Sequence, residues 1–252
     1  MYMRFVHLKV KEGRLWDLAR FFEERIIPSL QETEGCLFVS LLQATGEDDE
    51  SISMTLWSSQ EHAEAYEKSG LYDQFLDEGD EFLAQAAPLR VRLAGDSGGT
   101  VPQLQDPEVE AFPVEVAALS DRRDDFSSRR LFMRIVAARV KAGRLAEFRE
   151  RWDKEVKPQL LATHGCRAVF LVEGIKARPQ ILSVTVWDRE EDAVRHEISG
   201  AFDENTARLR EFMSGLYQWN LALPSAGEHA TAADRGLDVS SYQLVTGRRL
   251  RD

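Results

Sequence analysis

The sequence contains Lys11-Glu12-Gly13-Arg14-Leu15 and repeats it as Lys141-Ala142-Gly143-Arg144-Leu145, at an offset of 130 residues (141 − 11). The same offset, without a gap, relates Ser53-Met54-Thr55-Leu56-Trp57 to Ser183-Val184-Thr185-Val186-Trp187. Self-similarity at one fixed period is typical of a duplicated structural unit. We therefore predict that the chain consists of two copies of one fold.

The period also predicts where the two copies begin and end. Because the offset still relates the two tails, we expect the first domain to span residues 1–122 and the second to span 131–252. Residues 123–130 read Arg-Asp-Asp-Phe-Ser-Ser-Arg-Arg, a polar stretch of the kind that links domains.

The pattern of one copy predicts the order β-α-β-β-α-β followed by one extra strand. Helical spacing begins after Gly13, and Pro28 is expected to kink or interrupt that helix. A second helical stretch spans about 71–86, and strands are expected near 88–93 and 110–117. This order is the ferredoxin-like arrangement of the α+β class. Two such sheets can cover each other, with each extra strand pairing to the opposite copy.

Composition excludes several classes of protein. The 252 residues carry 32 Lys and Arg against 43 Asp and Glu, a net charge of −11, which argues against nucleic acid as a partner. Two cysteines are too few for a disulfide scaffold, and their spacing suggests no metal site. The N-terminal stretch is broken by charge before a signal or membrane-spanning segment could form. We expect a cytoplasmic protein without a membrane partner.

The two copies share a further set of motifs. In each, a strand leads into Val-Lys-x-Gly-Arg, a long helix ends in Glu/His-Gly-Cys, and a strand ends in Thr-x-Trp before Ser/Asp-x-x-Glu. With these motifs each copy resembles the antibiotic biosynthesis monooxygenase (ABM) family of dimeric α+β barrels. Because family members usually pair as homodimers, the resemblance implies an intrachain pseudo-dimer, with further homo-oligomerisation left open. It also implies a cofactor-independent monooxygenase that acts on a small aromatic or quinol-like molecule in a cavity between sheet and helices.

The strand before the second helix alternates aliphatic side chains with hydroxyl and indole side chains in both copies. Because successive strand residues point to opposite faces, the two kinds lie on different sides of the sheet. We predict that the aliphatic face packs under the helices and that the other face, here called the Ser/Thr/Trp face, lines the space between the sheets. Its members are Ser53, Thr55 and Trp57 with their counterparts Ser183, Thr185 and Trp187.

These residues are the first candidates for a site. We take Trp57 and Trp187 as candidate catalytic residues, because the strand that carries them would form a wall of a mostly apolar pocket. The neighbouring hydroxyl residues are candidates for binding substrate. The alternative interpretation makes the tryptophans core residues and lets the hydroxyl groups bond across strands.

Three further residues are candidates for binding substrate. Arg4 and Arg134 recur mid-strand, where an arginine could orient an acidic or phenolic ligand or, as we favour, extend to the rim with its stem packed. His7 corresponds to Ala137, so a role as proton shuttle would be confined to one half, and a partly buried structural histidine is the favoured alternative. The other histidines, His62, His164, His196 and His229, are expected on helix surfaces, turns or loops.

The catalytic patterns of characterised family branches do not carry over. Quinone-forming members place Asn and Tyr around the tryptophan, where this chain has Ser53 and Ala63, and Ser183 and Ala193 in the second copy. The Asn and His of haem-degrading members are also missing. The resemblance therefore leaves two other functions open: a non-catalytic protein that binds a small hydrophobic ligand or acts in stress response, and, as a weaker candidate, a haem binder.

Overall fold

The computed structural model describes residues 1–46, 49–84, 109–119, 131–174, 180–214 and 238–251. These residues form eight strands, four from each repeat. The first repeat contributes β1 (Tyr2–Lys9), β2 (Cys36–Ala44), β3 (Glu50–Trp57) and β4 (Val109–Leu119). The second contributes β5 (Phe132–Arg139), β6 (Cys166–Gly174), β7 (Gln180–Trp187) and β8 (Asp238–Arg249).

The helices follow the same duplicated plan. In the first repeat they are α1 (Leu15–Phe21), a π-helical turn (Phe22–Ile26), α2 (Ile27–Glu32), α3 (Gln60–Lys68) and α4 (Leu71–Gly79). In the second they are α5 (Leu145–Arg151), a π-helical turn (Trp152–Val156), α6 (Lys157–Ala162), α7 (Glu190–Ile198), α8 (Ala201–Leu209) and a 3-10 turn (Arg210–Phe212). Helix α4 ends at Gly79, earlier than the predicted helix over 71–86, and the strand predicted at 88–93 lies outside the described residues.

The strands close into one antiparallel barrel in the order β1-β3-β2-β8-β5-β7-β6-β4. The long strands β4 and β8 join the two repeats. The first part of β4 pairs with β1 of its own repeat and the rest pairs with β6, while β8 pairs with β5 and then with β2. Closure leaves none of these eight strands with an exposed edge, which is the advantage expected from such a crossover. Both the ferredoxin-like α+β fold and the intrachain barrel of two repeats are thus confirmed.

The long first helix of each repeat is interrupted just before its proline, as predicted. Proline has no backbone N–H, and its ring collides with the carbonyl four residues earlier in an α-helix. In the first repeat a π-helical turn precedes Pro28, and the N–H of Ile27 bonds the carbonyl of Phe22, five residues back. The second repeat places the same turn before Pro158. The wider turn lets each helix continue past its proline.

The Ser/Thr/Trp face lies under the helices, so the predicted orientation of this strand is wrong. Trp57 belongs to a core cluster with helix residues such as Phe22, and Trp187 belongs to the matching cluster with Trp152. The aliphatic face, including Met54 and Val184, faces the barrel interior instead. A period of two shows that the two faces differ, but both faces of a closed and helix-covered barrel are buried. Hydrophobicity therefore could not assign them.

Candidate functional site

Each repeat has a cavity between its sheet and its helices, and residues 130 apart line the two cavities. Arg4, Ser53 and Thr55 line the first, while Arg134, Ser183, Thr185 and Trp187 line the second. The structure thus brings most of the predicted site residues into two related places. The cavities measure about 50 Å³ in the first repeat and about 80 Å³ in the second. The two cavities differ more in the polarity of their lining side chains than in their volume.

Aromatic and aliphatic side chains fill the cavity of the first repeat. Tyr66, Tyr72, Phe75 and Leu76 all project into it from α3 and α4. The guanidinium of Arg4 lies 4.2 Å from the centre of the Tyr72 ring, and its Nε is 3.0 Å from a carboxylate oxygen of Glu67. Arg4 is only 2% exposed, so the favoured interpretation that it extends to the rim is wrong. This half has the character of a packed core.

Polar residues occupy the corresponding positions of the second repeat. His196 stands where the first repeat has Tyr66, and Asn205 and Thr206 stand where it has Phe75 and Leu76. Thr206 donates its hydroxyl to the carbonyl of Phe202 at 2.8 Å, so its own hydrogen is already used. The other two side chains still offer polar atoms toward the cavity.

An ion pair lies beside these residues. Arg134 Nη1 is 2.6 Å from Oε1 of Glu197, and the Glu197 side chain is 3% exposed. Its counterpart Glu67 in the first repeat is 46% exposed. Burial lowers the pKa of Arg134, and the nearby Glu197 carboxylate acts against that shift. The second repeat therefore holds a fixed positive group in a low-dielectric wall, where electrostatic interactions are stronger than in water.

His196 and Asn205 each hold a buried polar atom at the wall of this cavity. Among the described residues, neither Nε2 of His196 nor Nδ2 of Asn205 has a hydrogen-bond partner, and both side chains are at least 94% buried. Such groups cost free energy unless a water or a ligand satisfies them. The His196 ring lies against Trp187, with 5.3 Å between centroids. Burial, assisted by the positive charge of Arg134, lowers the pKa of His196 to about 4.

Sequence reasoning missed His196, which was expected on a helix surface, turn or loop. Helix α7 turns this residue inward, where it is 6% exposed. A comparison of the two copies could have found it, because the positions of Tyr66 and Phe75 in the first repeat hold His196 and Asn205 in the second. Polar replacements at core positions of one copy only are unusual, because a buried polar group must find a partner.

The tryptophans themselves have no free donor. Nε1 of Trp57 donates to Oγ1 of Thr55, and Nε1 of Trp187 donates to Oγ1 of Thr185, each at 2.9 Å. Thr185 in turn donates to the carbonyl of Arg134 across the strands at 3.4 Å. The buried tryptophans and this cross-strand bond of Thr185 match the alternative interpretation, in which the tryptophans are core residues and the hydroxyl groups bond across strands. Trp187 contributes a wall to the second cavity rather than a hydrogen bond.

The remaining candidates lie elsewhere. His7 lines a separate polar cavity with Ser51 and Tyr242, and its Nε2 is 3.4 Å from Glu110. Cys36 and Cys166 are buried and free, and burial raises the pKa of each thiol to about 12. Neither cysteine can supply a thiolate near neutral pH. Among the described residues, no cluster of three His, Cys, Asp or Glu side chains could hold a metal ion.

Comparison with known proteins agrees with this architecture. The family model described as "Antibiotic biosynthesis monooxygenase" matches residues 1–78 and again residues 131–208. No curated protein matches the chain. Across the residues that the structure describes, no helix has the length and apolar character needed to span a membrane.

Several solved structures share the fold. A provisionally assigned monooxygenase from Lactobacillus acidophilus NCFM aligns with a TM-score of 0.67 at 12% identity, covering 99% of this chain and 96% of that chain. A second provisionally assigned monooxygenase, from Fusobacterium nucleatum, has a TM-score of 0.67 at 10% identity and coverages of 98% and 94%. An anthrone oxidase-like protein has a TM-score of 0.56 at 13% identity, with coverages of 100% and 94%. The two family matches and the duplicated barrel establish that the chain belongs to the antibiotic biosynthesis monooxygenase family, as a tandem-repeat member.

Proposed function

We propose that the protein is a cofactor-independent monooxygenase whose substrate, a small aromatic or quinol-like molecule, binds between the sheet and helices of the second repeat. The observation that carries this proposal is the pair of buried polar atoms, His196 Nε2 and Asn205 Nδ2, on the wall of one cavity. Arg134 and Glu197 stand beside them, and Trp187 supplies an aromatic wall. In the first repeat the positions of His196 and Asn205 hold the aromatic residues Tyr66 and Phe75.

The size of the cavity limits the substrate. An engineered apolar cavity of roughly 150 Å³ holds one benzene molecule, and the cavity here measures about 80 Å³. A single ring therefore enters only when a lining side chain, such as Asn205 on α8, turns aside. Because space is limited, the cavity favours a substrate with a single ring. The hydroxyl-bearing edge of that ring would face His196 on the cavity wall.

The pKa of His196 decides what this residue does. An ordinary phenol has a pKa near 10, and that of His196 is about 4. Full proton transfer across that gap would cost about 8 kcal/mol, at 1.36 kcal/mol per unit. His196 is thus suited to accept a hydrogen bond from the substrate hydroxyl and to orient it. A substrate more acidic than phenol, such as an enolised or extended aromatic ring, would ionise beside the Arg134 guanidinium, which stabilises negative charge on oxygen.

The proposed reaction needs only dioxygen as a second reactant. The ionised ring is electron-rich and reduces dioxygen, which places one oxygen atom on a ring carbon and releases the other as water. For a ring methylene the balance is CH2 plus O2 giving C=O plus H2O, in which the carbon loses four electrons and dioxygen gains them. The substrate supplies all electrons, so the scheme requires no external reductant.

Oxygen uptake with a panel of phenols, anthrone-type ketones and quinols tests this proposal. We expect at least one member to support uptake, and His196→Phe to lower the rate about tenfold, because it removes one hydrogen bond that positions the substrate. Tyr66→Phe, the matched change in the first repeat, should leave the rate within twofold. Trp187→Phe should lower it through loss of the wall. Uptake that is unchanged in His196→Phe and Trp187→Phe would place the chemistry elsewhere.

The second candidate function is ligand binding without turnover. The unsatisfied atoms of the same cavity favour it as well, because they would bind a hydroxylated aromatic ligand whether or not it reacts. It predicts ligand-dependent thermal stabilisation with no oxygen uptake and with intact ligand recovered. We also propose that the protein acts in the cytoplasm, where its two buried free thiols would remain reduced.

A further inference from the structure

The barrel interior contains a cavity distinct from both helix-side cavities. It measures about 360 Å³ and lies at the barrel end where β1 and β5 begin. Side chains from both repeats line it, among them Met3 and its counterpart Met133. At roughly 150 Å³ per benzene-sized occupant, this volume accommodates about a dozen carbon atoms. It is the largest of the cavities described above, and the proposed monooxygenase chemistry does not use it.

A buried hydroxyl group faces this apolar space. Ser40 is fully buried and lines the cavity, and its Oγ has no hydrogen-bond partner among the described residues. An unsatisfied hydroxyl in an apolar wall costs free energy that a bound oxygen atom would recover. The cavity is therefore built to receive a ligand that carries at least one polar group.

Positive charge lies at the same end of the cavity. Arg249 and Arg251, both exposed, line its rim, and none of the described lining residues is acidic. Arg249 Nε donates to the carbonyl of Arg251, and Arg251 Nη2 donates to the carbonyl of Gln31, each at 3.3 Å. Arg249 pairs with Phe38 in the ladder between β8 and β2, two residues along β2 from Ser40. Two residues of a strand span about 7 Å, which an extended arginine side chain covers. One carboxylate can thus accept hydrogen bonds from Ser40 and from an arginine at once.

We infer that the barrel interior binds an aliphatic carboxylate of about ten to twelve carbon atoms. The chain occupies the space between Met3, Met133 and Leu244, and the carboxylate lies toward Ser40, Arg249 and Arg251. The charge on the two arginines selects an acid over the corresponding alcohol, because charge-assisted hydrogen bonds are about twice as strong as neutral ones. The volume selects a medium chain over a long one.

Calorimetric titration of the full chain with decanoate and decan-1-ol tests this inference. We expect saturable one-to-one binding of decanoate and weaker binding of the alcohol. The double variant Arg249→Gln/Arg251→Gln should weaken decanoate at least tenfold and change the alcohol less than twofold. Arg248→Gln is the matched control, because this exposed residue neighbours Arg249 on β8 but does not line the cavity.

Two further variants locate the bound acid. Ala117→Leu places a larger side chain in the cavity wall, because Ala117 packs against the cluster of the barrel interior, and should abolish binding. His196→Phe in the second repeat should leave the dissociation constant within twofold. A decanoate affinity that survives Ala117→Leu, or that depends equally on Arg248 and on the arginine pair, overturns the inference. Absence of saturable binding overturns it as well. Because His196→Phe separates the two sites, neither outcome bears on the proposed monooxygenase activity.

Discussion

Replacing Arg134 with methionine lowers the free energy of unfolding by about 3–5 kcal/mol, the range for removing one partner of a buried ion pair. The physical reason is the Glu197 carboxylate, which is 3% exposed and lies 2.6 Å from the arginine. The substitution keeps most of the side-chain volume but takes the positive charge away from that buried carboxylate. Urea unfolding followed by circular dichroism measures the change.

The first repeat supplies a matched control for this prediction. Glu67 pairs with Arg4 in the same place, but its carboxylate is 46% exposed and remains hydrated. Arg4→Met should therefore cost less than Arg134→Met, because the carboxylate that it leaves without a partner is hydrated rather than buried. The double variant Arg134→Met/Glu197→Leu should recover most of the lost stability, because both charges leave together. A loss below 1 kcal/mol for Arg134→Met would show that the pair is not buried as described.

His196→Phe removes part of the acid sensitivity of the fold. The pKa of His196 is about 4 in the folded protein and 6.5 without burial, so the unfolded chain binds a proton first as the pH falls. The contribution of neutral His196 to the free energy of unfolding is fully present above pH 6.5 and is lost progressively between pH 6.5 and 4. The full loss is about 3 kcal/mol, from a gap of about 2.5 units at 1.36 kcal/mol each.

The measurement compares urea unfolding of wild type and variant at several pH values. The difference in stability between them should change by about 3 kcal/mol from pH 7 to pH 4, in favour of the phenylalanine variant at low pH. Other titrating groups cancel in this difference. Tyr66→Phe, the matched change in the first repeat, is the control, because burial raises the pKa of the Tyr66 phenol still further above this pH range. A constant difference across this range contradicts a buried neutral His196.

Much of the architecture could be predicted from the sequence because each pattern occurs in both copies, so that one copy can be checked against the other. The 130-residue period, the interruption at Pro28 and Pro158, and the crossover pairing of the last strand of each repeat all follow from signals present in both copies. Such local and repeated signals do not depend on knowing the tertiary packing. In contrast, the tertiary packing decides which face of β3 and of β7 lies under the helices. The sequence could not show this, because the barrel buries both faces of each strand.

The candidate site was less predictable because its informative residues differ between the copies. A search for shared motifs selects Trp57 and Trp187, whose indole N–H groups are both bonded to a neighbouring threonine. His196 and Asn205 have no counterpart of their own type in the first repeat. Fusion of two copies removes the requirement that both sites of a dimer stay identical. One site can then be packed with aromatic side chains while the other keeps polar groups.

Nitrogen NMR of histidine-labelled protein tests most directly whether the second repeat holds a neutral, accessible imidazole in its cavity. The five histidines are few enough to resolve, and His196→Phe assigns the resonance of interest. We predict that the His196 imidazole stays neutral down to about pH 4 and that its Nε2 signal shifts when a phenol or quinol is added. A resonance that titrates near pH 6.5 and does not respond to any of these compounds would contradict the account.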